Sequence, residues 1–301
     1  MSVSDYSDTV TTMAFNRDNS LFTLSTTAYF AVYTCGEIVA ERIVLERGLG
    51  GMKIVQPVFK SPLLVIVSSG DTPGTSPRRL KLWNMMTKSV VREKAFDGTI
   101  SSCSANKETL VVGTEGNIFV FSLADMTVKY KIVAKRDANV VFCLSNDPIS
   151  LLAYSIACVD AGAGVRMSSD SSRSDELDRD MTRPGEIAIL DCTQLRVVSR
   201  IYAHKSSIVA LAFSCSGHML ATASVTGSLV RVFSVPGGQC LHELRHSLPG
   251  STRILSLFAF AASGSHEHGQ RQGIGGCSIS SLSFCPESAF LLCVSADAAG
   301  Q

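Results

Sequence analysis

Three segments of the chain repeat one pattern of two apolar runs around a polar turn, and this repeat limits the folds that are possible. The segments are residues 13–26, 211–224 and 282–295, and each passes from an apolar run ending in Phe, through a polar turn, to a second apolar run ending in Ser or Thr. In the first two copies a third apolar run follows. A recurring unit of short strands is typical of β-propellers, whose blades are small antiparallel sheets.

Short apolar runs between turn residues also fill the rest of the chain, and no long run has helical periodicity. Runs rich in Val, Ile, Leu and Phe and bounded by Gly, Asn, Asp, Ser or Pro indicate strands. The clearest are residues 63–67, 79–83, 109–113, 117–122, 127–133, 186–191 and 229–234. Two polar stretches, residues 161–183 and 263–276, are predicted to be flexible insertions between strands. We therefore predict an all-β chain that forms a single WD40-type β-propeller domain over residues 1–301.

Charge and hydropathy exclude several classes of protein. The formal net charge of +1 argues against a protein that coats nucleic acid, because such binding needs many Lys and Arg to neutralise phosphates. No segment reaches the ~18 consecutive apolar residues that a membrane-spanning helix needs. The first residues lack the basic and apolar runs of a secretory signal, so we expect a cytoplasmic protein whose membrane contact is peripheral.

The sequence shows no arrangement typical of an enzyme or a metal site. The ten cysteines include no Cys-x-x-Cys pair, so we interpret them as small buried hydrophobic residues. No glycine-rich nucleotide-binding motif and no nucleophile elbow occur. His266 and His268 flank a glutamate in a polar stretch, which is a weak signal for a metal ion. We predict no catalytic residue, no metal ligand and no cofactor.

One long segment carries a specific family resemblance. Residues 203–245 resemble, without a gap, the fifth blade of the PROPPIN family, autophagy propellers of the WIPI and Atg18 type. The family signature Phe/Leu-Arg-Arg-Gly is replaced here by Leu-Arg-His-Ser at residues 244–247. Residues 50–84 and 184–191 resemble the second and fourth blades. The resemblance implies a seven-bladed fold of which about five to six blades are present, incomplete at the C-terminus.

The resemblance also implies a pocket for an inositol phosphate headgroup. Such a headgroup needs guanidinium groups for bidentate phosphate contact, together with hydroxyl and backbone N–H donors. Two hydroxyl residues at a spacing of two face the same side of a strand, and a glycine permits the tight turn that follows. The first family pocket falls here on Thr222, Ser224, Gly227, Ser228, Arg231 and Arg245.

The second family pocket is expected to be weak or absent. His246 and Ser247 stand where the family has Arg and Gly, and a histidine that is mostly neutral at cytosolic pH lacks the guanidinium fork. Ala296 and Gly300 occupy the positions of the family's Ser and Thr. A protonated His246 would still bind phosphate, which predicts stronger membrane binding near pH 6.

By resemblance, the chain would bind phosphatidylinositol 3-phosphate (PtdIns3P) and/or the 3,5-bisphosphate on membranes during autophagy. The expected locations are phagophore or preautophagosomal, endosomal and vacuolar membranes, reached peripherally from the cytoplasm. The expected partners are these membranes and autophagy proteins, among them the Atg2-like lipid-transfer protein, which would contact the polar loop at residues 69–79.

Two alternatives stay open at the level of sequence. The first is a WD-repeat scaffold that binds only proteins, and the second, less favoured, is a catalytic propeller with acids around its channel. The surroundings of Arg231 and Arg245 distinguish the lipid-binding protein from the scaffold. If both converge with Thr222 and Ser224 in one exposed cleft, lipid binding is favoured; if either is buried against an acid such as Glu243, the scaffold is favoured.

Overall fold

A computed structural model of the chain describes residues 10–16, 20–35, 40–133, 139–145, 150–157, 166–168, 184–226, 229–245, 255–259, 278–284 and 290–296. From residue 245 onward the description covers the backbone alone. The chain divides into two compact units, residues 1–115 and residues 116–301.

The first unit contains ten strands in the described ranges, and its sheets are built from antiparallel pairs. They are β1 (Val10–Phe15), β2 (Leu21–Thr26), β3 (Phe30–Cys35), β4 (Ala40–Glu46), β5 (Met52–Pro57), β6 (Leu63–Ser68), β7 (Arg79–Asn84), β8 (Ser89–Ala95), β9 (Ile100–Ala105) and β10 (Thr109–Thr114). Strands β1 to β4 form one four-stranded sheet in sequence order, and β5 to β8 form a second. Strands β9 and β10 form a hairpin.

The second unit continues the same construction. Its strands are β11 (Asn117–Ser122), β12 (Val128–Val133), β13 (Asn139–Leu144), β14 (Leu151–Ala157), β15 (Arg166–Ser168), β16 (Glu186–Asp191), β17 (Arg196–Tyr202), β18 (Ile208–Phe213), β19 (Met219–Ser224), β20 (Leu229–Ser234), β21 (Cys240–Arg245), β22 (Leu255–Ala259), β23 (Ser278–Phe284) and β24 (Phe290–Ala296). Two four-stranded sheets have the orders β13-β14-β16-β17 and β18-β19-β20-β21, and a three-stranded sheet has the order β22-β24-β23. Strand β12 pairs with β11 and with the short β15.

The strands predicted from the sequence are confirmed. Those predicted at residues 117–122, 186–191 and 229–234 have the predicted bounds, and the other four begin and end within one residue of them. Within the stretch predicted as an insertion at residues 161–183, residues 166–168 form the short strand β15, which pairs with β12. The rest of that stretch and residues 263–276 lie outside the described residues.

The core of the first unit lies between its first two sheets. Phe30 and Trp83 meet edge to face, with ring centroids 5.5 Å apart, and both are fully buried. The hydroxyl of Thr23 donates to the Val55 carbonyl at 2.6 Å, and that of Ser25 donates to the Met52 carbonyl at 3.0 Å. These bonds satisfy buried polar groups where β2 packs against β5.

The core of the second unit lies between its two four-stranded sheets, β13-β14-β16-β17 and β18-β19-β20-β21. Its buried members are Leu151, Ala153, Ile187, Ile189, Ile201, Ala203, Ile208, Leu211, Phe213, Leu220, Phe233 and Val235. Burying one Leu, Ile or Phe side chain stabilises the fold by about 1.5–3 kcal/mol, so this cluster fixes how the two sheets meet. Strands β18 to β20, which carry the candidate site, are held by it.

The cysteines were predicted to be buried, and this is wrong for most of those described. Of Cys35, Cys103, Cys143, Cys192, Cys215 and Cys240, all free thiols, only Cys192 is buried. Cys240 is exposed because it begins β21, an edge strand. Burial raises the pKa of the Cys192 thiol to about 12, so it stays protonated.

No helix in the described ranges is long and apolar enough to cross a bilayer.

Candidate functional site

Three neighbouring strands bring Thr222, Arg231 and Glu243 together. Thr222 on β19 lies directly opposite Arg231 on β20, and Arg231 lies directly opposite Glu243 on β21. Directly opposed residues in an antiparallel sheet project from the same face. The Thr222 residue is fully buried, whereas the Arg231 and Glu243 side chains are 28% and 43% exposed. The row therefore runs from the interior to the surface.

A buried histidine completes the inner end of this row. His204 lies in the connection between β17 and β18, and its Nε2 atom is 2.9 Å from the Thr222 hydroxyl oxygen. The same hydroxyl donates to the Arg231 carbonyl at 3.2 Å. A hydroxyl has one proton, so Thr222 accepts from His204, and this pattern assigns the proton of the neutral imidazole to Nε2. Burial, reinforced by the positive charge of Arg231, lowers the pKa of His204 to about 4.

The turn before β16 holds the histidine connection in place. The backbone N–H groups of Ala203 and His204 both donate to the carbonyl of Gly185, at 2.9 and 3.2 Å. Gly185 has a φ of +78°, and a Cβ at this position would collide with the carbonyl of His204. Glycine is required here because both the left-handed backbone and the close approach exclude a side chain.

Two contacts fix the guanidinium of Arg231. Its Nε donates to a carboxylate oxygen of Glu243 at 2.9 Å, and its Nη1 donates to the Ala203 carbonyl at 2.6 Å. Within the described ranges, Nη2 makes no hydrogen bond. The side chain is therefore oriented, partly exposed and still able to donate to a ligand.

The second hydroxyl residue of the predicted pocket is buried as well. Ser224 is 1% exposed, and its Oγ lies 3.0 Å from the hydroxyl of Thr226. Thr26, the last residue of β2 as Ser224 is of β19, accepts hydrogen bonds from the backbone of Ala28 and Tyr29 in the turn that follows. A hydroxyl at the end of the second strand of a sheet can therefore hydrogen-bond to the turn that follows the strand. Thr222 and Ser224 do not line an exposed cleft.

The structure describes none of the side chains of the remaining predicted site residues. Gly227, Ser228 and His246 lie outside the described residues. Arg245 is described by its backbone alone, which lies opposite Leu229 at the end of β21. Convergence of Arg245 with Arg231 thus stays a prediction. Of the residues that the structure describes, no His, Cys, Asp and Glu form a group that could hold a metal ion, and His266 and His268 are not among them.

Sequence reasoning missed the role of His204 and the Ala203 carbonyl. Both lie in the segment that resembles a propeller blade, but a single histidine in a connection has no periodic signal. Glu243 was considered only as an acid that would bury an arginine. It stands two residues before Arg245, and on a strand this spacing predicts that both residues belong to the same face of β21, which is a signal the sequence did contain.

Most of the chain matches one known protein family. The PROPPIN family model matches residues 9–266. Autophagy-related protein 18 of Yarrowia lipolytica is 31% identical over 245 residues, which are 79% of this chain and 58% of that protein. Autophagy-related protein 21 of Pichia angusta is 30% identical over 235 residues, which are 77% of this chain and 56% of that protein. The chain spans a little over half the length of these relatives.

Solved structures of similar proteins confirm the predicted fold class. Hsv2 of Kluyveromyces lactis matches with a TM-score of 0.67 at 18% identity, over 96% of this chain and 72% of that one. KlAtg21, solved in complex with the coiled-coil of AgAtg16, matches with a TM-score of 0.66 at 20% identity, over 95% and 78%. Identities this low show the fold alone, which is the β-propeller, while the number of blades stays a prediction. Taken with the match over residues 9–266, the chain belongs to the PROPPIN family.

Proposed function

We propose that the chain is a phosphoinositide-binding peripheral membrane effector in autophagosome formation that recognises PtdIns3P and/or PtdIns(3,5)P2. Family membership supports this function, as do the relatives named autophagy-related proteins 18 and 21. The protein would act by recognition, without chemistry. We propose the first lipid site as intact and the second as impaired, since His246 replaces an arginine of the family signature.

The orientation of Arg231 is the observation that carries this proposal. Two hydrogen bonds hold its guanidinium at the surface of the sheet β18-β19-β20-β21, with 28% of the side chain exposed. An oriented arginine loses little side-chain entropy when it binds phosphate, and a charge-assisted hydrogen bond to phosphate is strong. Thr222 and Ser224 would support the site without touching the ligand, because their buried hydroxyls contact the Arg231 carbonyl and the Thr226 hydroxyl.

Partners and location follow from the same family. KlAtg21 has been solved with the coiled-coil of AgAtg16, so we include autophagy coiled-coil proteins among the candidate partners. The Atg2-like lipid-transfer protein is a second candidate, through the loop between β6 and β7. That loop is mostly exposed, and Thr72 and Thr75 in it are joined by a hydroxyl contact of 3.1 Å. Phagophore, endosomal or vacuolar membranes are the proposed locations, reached from the cytoplasm by a single propeller domain over residues 1–301.

A flotation experiment tests the lipid site. Phosphatidylcholine vesicles with and without PtdIns3P would be floated with the wild type, Arg245→Ala and Arg231→Ala. We expect PtdIns3P-dependent flotation of the wild type and its loss in both variants. Arg79→Ala is the matched control, because Arg79 is also an exposed arginine paired with a glutamate at 2.9 Å. Equal flotation of wild type and Arg245→Ala would contradict the site assignment.

A protein-binding scaffold remains the second candidate function, and one observation favours it. Arg231 is paired with Glu243, which is the arrangement expected of an arginine that serves the structure rather than a ligand. A scaffold would show no PtdIns3P-dependent flotation with any variant. It would still bind an autophagy coiled-coil partner in a pull-down, and Arg231→Ala would not weaken that binding.

A further inference from the structure

The carboxylate of Glu243 contacts Arg231, the candidate phosphate-binding arginine, and it has no role in the function proposed so far. Glu243 is 43% exposed, and its Oε2 accepts from Arg231 Nε at 2.9 Å. The pair is fixed by the sheet itself, because the two residues are directly opposite on β20 and β21. The carboxylate therefore does not depend on a mobile loop to reach the arginine.

The carboxylate and the Ala203 carbonyl together decide which part of the guanidinium is available. Nε donates to Glu243 and one N–H of Nη1 donates to Ala203, so a ligand would approach Nη2 or the second N–H of Nη1, with Glu243 close by. The pair as a whole has no net charge. An anion at this place gains the hydrogen bond of Arg231 but is also repelled by Glu243.

That repulsion grows with the charge of the ligand. Each phosphate monoester carries a charge of about −1.5 to −2 at pH 7, so the 3,5-bisphosphate headgroup carries one such charge more than the 3-phosphate headgroup. Because the Coulomb energy grows with the charge of the ligand, the same carboxylate opposes a bisphosphate more strongly than a monophosphate. The effect is moderate, since both groups of the pair are partly exposed and are screened by water and salt.

We propose that Glu243 is a specificity-determining residue, which makes the site discriminate against headgroups with more than one phosphate monoester. This inference rests on the proposed lipid-binding function and adds a preference to it. A site that contained Arg231 without Glu243 would bind anions more tightly and with less discrimination. Glu243 therefore lowers affinity and favours the monophosphate over the bisphosphate.

The test compares Glu243→Gln with the wild type on vesicles of phosphatidylcholine containing either PtdIns3P or PtdIns(3,5)P2. We expect Glu243→Gln to bind PtdIns3P vesicles about two- to fivefold more tightly, as for the loss of a partly exposed charge interaction. The gain for PtdIns(3,5)P2 should be larger than that factor, so the ratio of the two affinities shifts toward the bisphosphate.

Glu93→Gln is the matched control. Glu93 forms the same kind of ion pair, with Arg79 at 2.9 Å, on the second sheet of the first unit. The substitution Glu93→Gln changes the net charge by the same amount as Glu243→Gln. It should leave the affinities for PtdIns3P and PtdIns(3,5)P2 vesicles, and their ratio, unchanged. Similar thermal unfolding midpoints of the two variants would show that both are folded.

Each result decides the proposal. If Glu243→Gln bound both lipids as the wild type does, with the same ratio of affinities, the proposed role of Glu243 would be overturned and the lipid site would stand. Weaker binding by Glu243→Gln would overturn it too, since Glu243 would then position Arg231. An equal gain in Glu93→Gln would show an effect of net charge alone. Absence of phosphoinositide-dependent binding by every form would overturn the proposed function and this inference with it.

Discussion

The Nε2 atom of His204 lies 2.9 Å from the Oγ1 atom of Thr222, and both residues are buried. The contact joins the connection before β18 to the middle of β19, 18 residues further along the chain. An uncharged hydrogen-bonded pair at this depth stabilises the sheet, and removing one partner leaves the other unsatisfied.

Thr222→Val should therefore destabilise the protein. Valine keeps the shape of threonine but removes the hydroxyl to which His204 donates, and a buried donor left without a partner costs about 1–3 kcal/mol. The free energy of unfolding in urea measures this loss. Thr193→Val is the control, because Thr193 is exposed, and it should leave stability within about 0.5 kcal/mol of the wild type. Equal stability of Thr222→Val and wild type would contradict a structural role for the hydroxyl.

His204 should make stability depend on pH. Its pKa is lowered to about 4 in the folded protein, against about 6.5 in the unfolded chain, so the unfolded chain takes up a proton first as pH falls. This contribution is fully present above pH 6.5 and is lost as pH falls toward 4, by an amount on the order of 2–3 kcal/mol.

Urea unfolding at several pH values between 7.5 and 4.5 would measure this dependence. The variant His204→Gln removes the titrating group, so its stability should fall less steeply across that interval than that of the wild type. Parallel curves for the two proteins would show that His204 does not carry the dependence, whatever their absolute stabilities.

Gly185→Ala should be among the most damaging single changes in the second unit. A left-handed residue other than glycine costs about 1–2 kcal/mol, and here the new Cβ would also meet the His204 carbonyl. Gly74→Ala separates the two causes, because Gly74 has a φ of +84° but nothing within 4 Å of an added Cβ. We expect a small loss in thermal midpoint for Gly74→Ala and a clearly larger one for Gly185→Ala. Equal losses would exclude the collision.

The described cysteines should react with thiol reagents in an order set by burial. Cys240 is exposed, whereas Cys192 is buried and its thiol pKa is raised to about 12, which leaves almost no thiolate at pH 8. Alkylation followed by peptide mass spectrometry should show Cys240 modified early and Cys192 modified only after unfolding. Early labelling of Cys192 in the native protein would mean that the surrounding sheet opens readily.

The fold class was predictable because its signals are local. Apolar runs of five to seven residues between turn residues placed strands such as β11, β16 and β20 at their observed bounds. The same runs, repeated at residues 13–26 and 211–224, indicated a blade. The burial of the cysteines was not predictable in this way, because it depends on where in a sheet each strand lies.

The sequence alone determined the fold class, the clearest strands and the family to which the chain belongs, since alternation and turn chemistry act between near neighbours in the chain. Only the tertiary structure decided which groups meet. Arg231 reaches the carbonyl of Ala203 across 28 residues, and its register with Glu243 pairs it with an acid. Such contacts are set by strand register and by the packing of one sheet on the next. These long-range constraints hold His204 and Thr222 inside and leave the arginine partly at the surface.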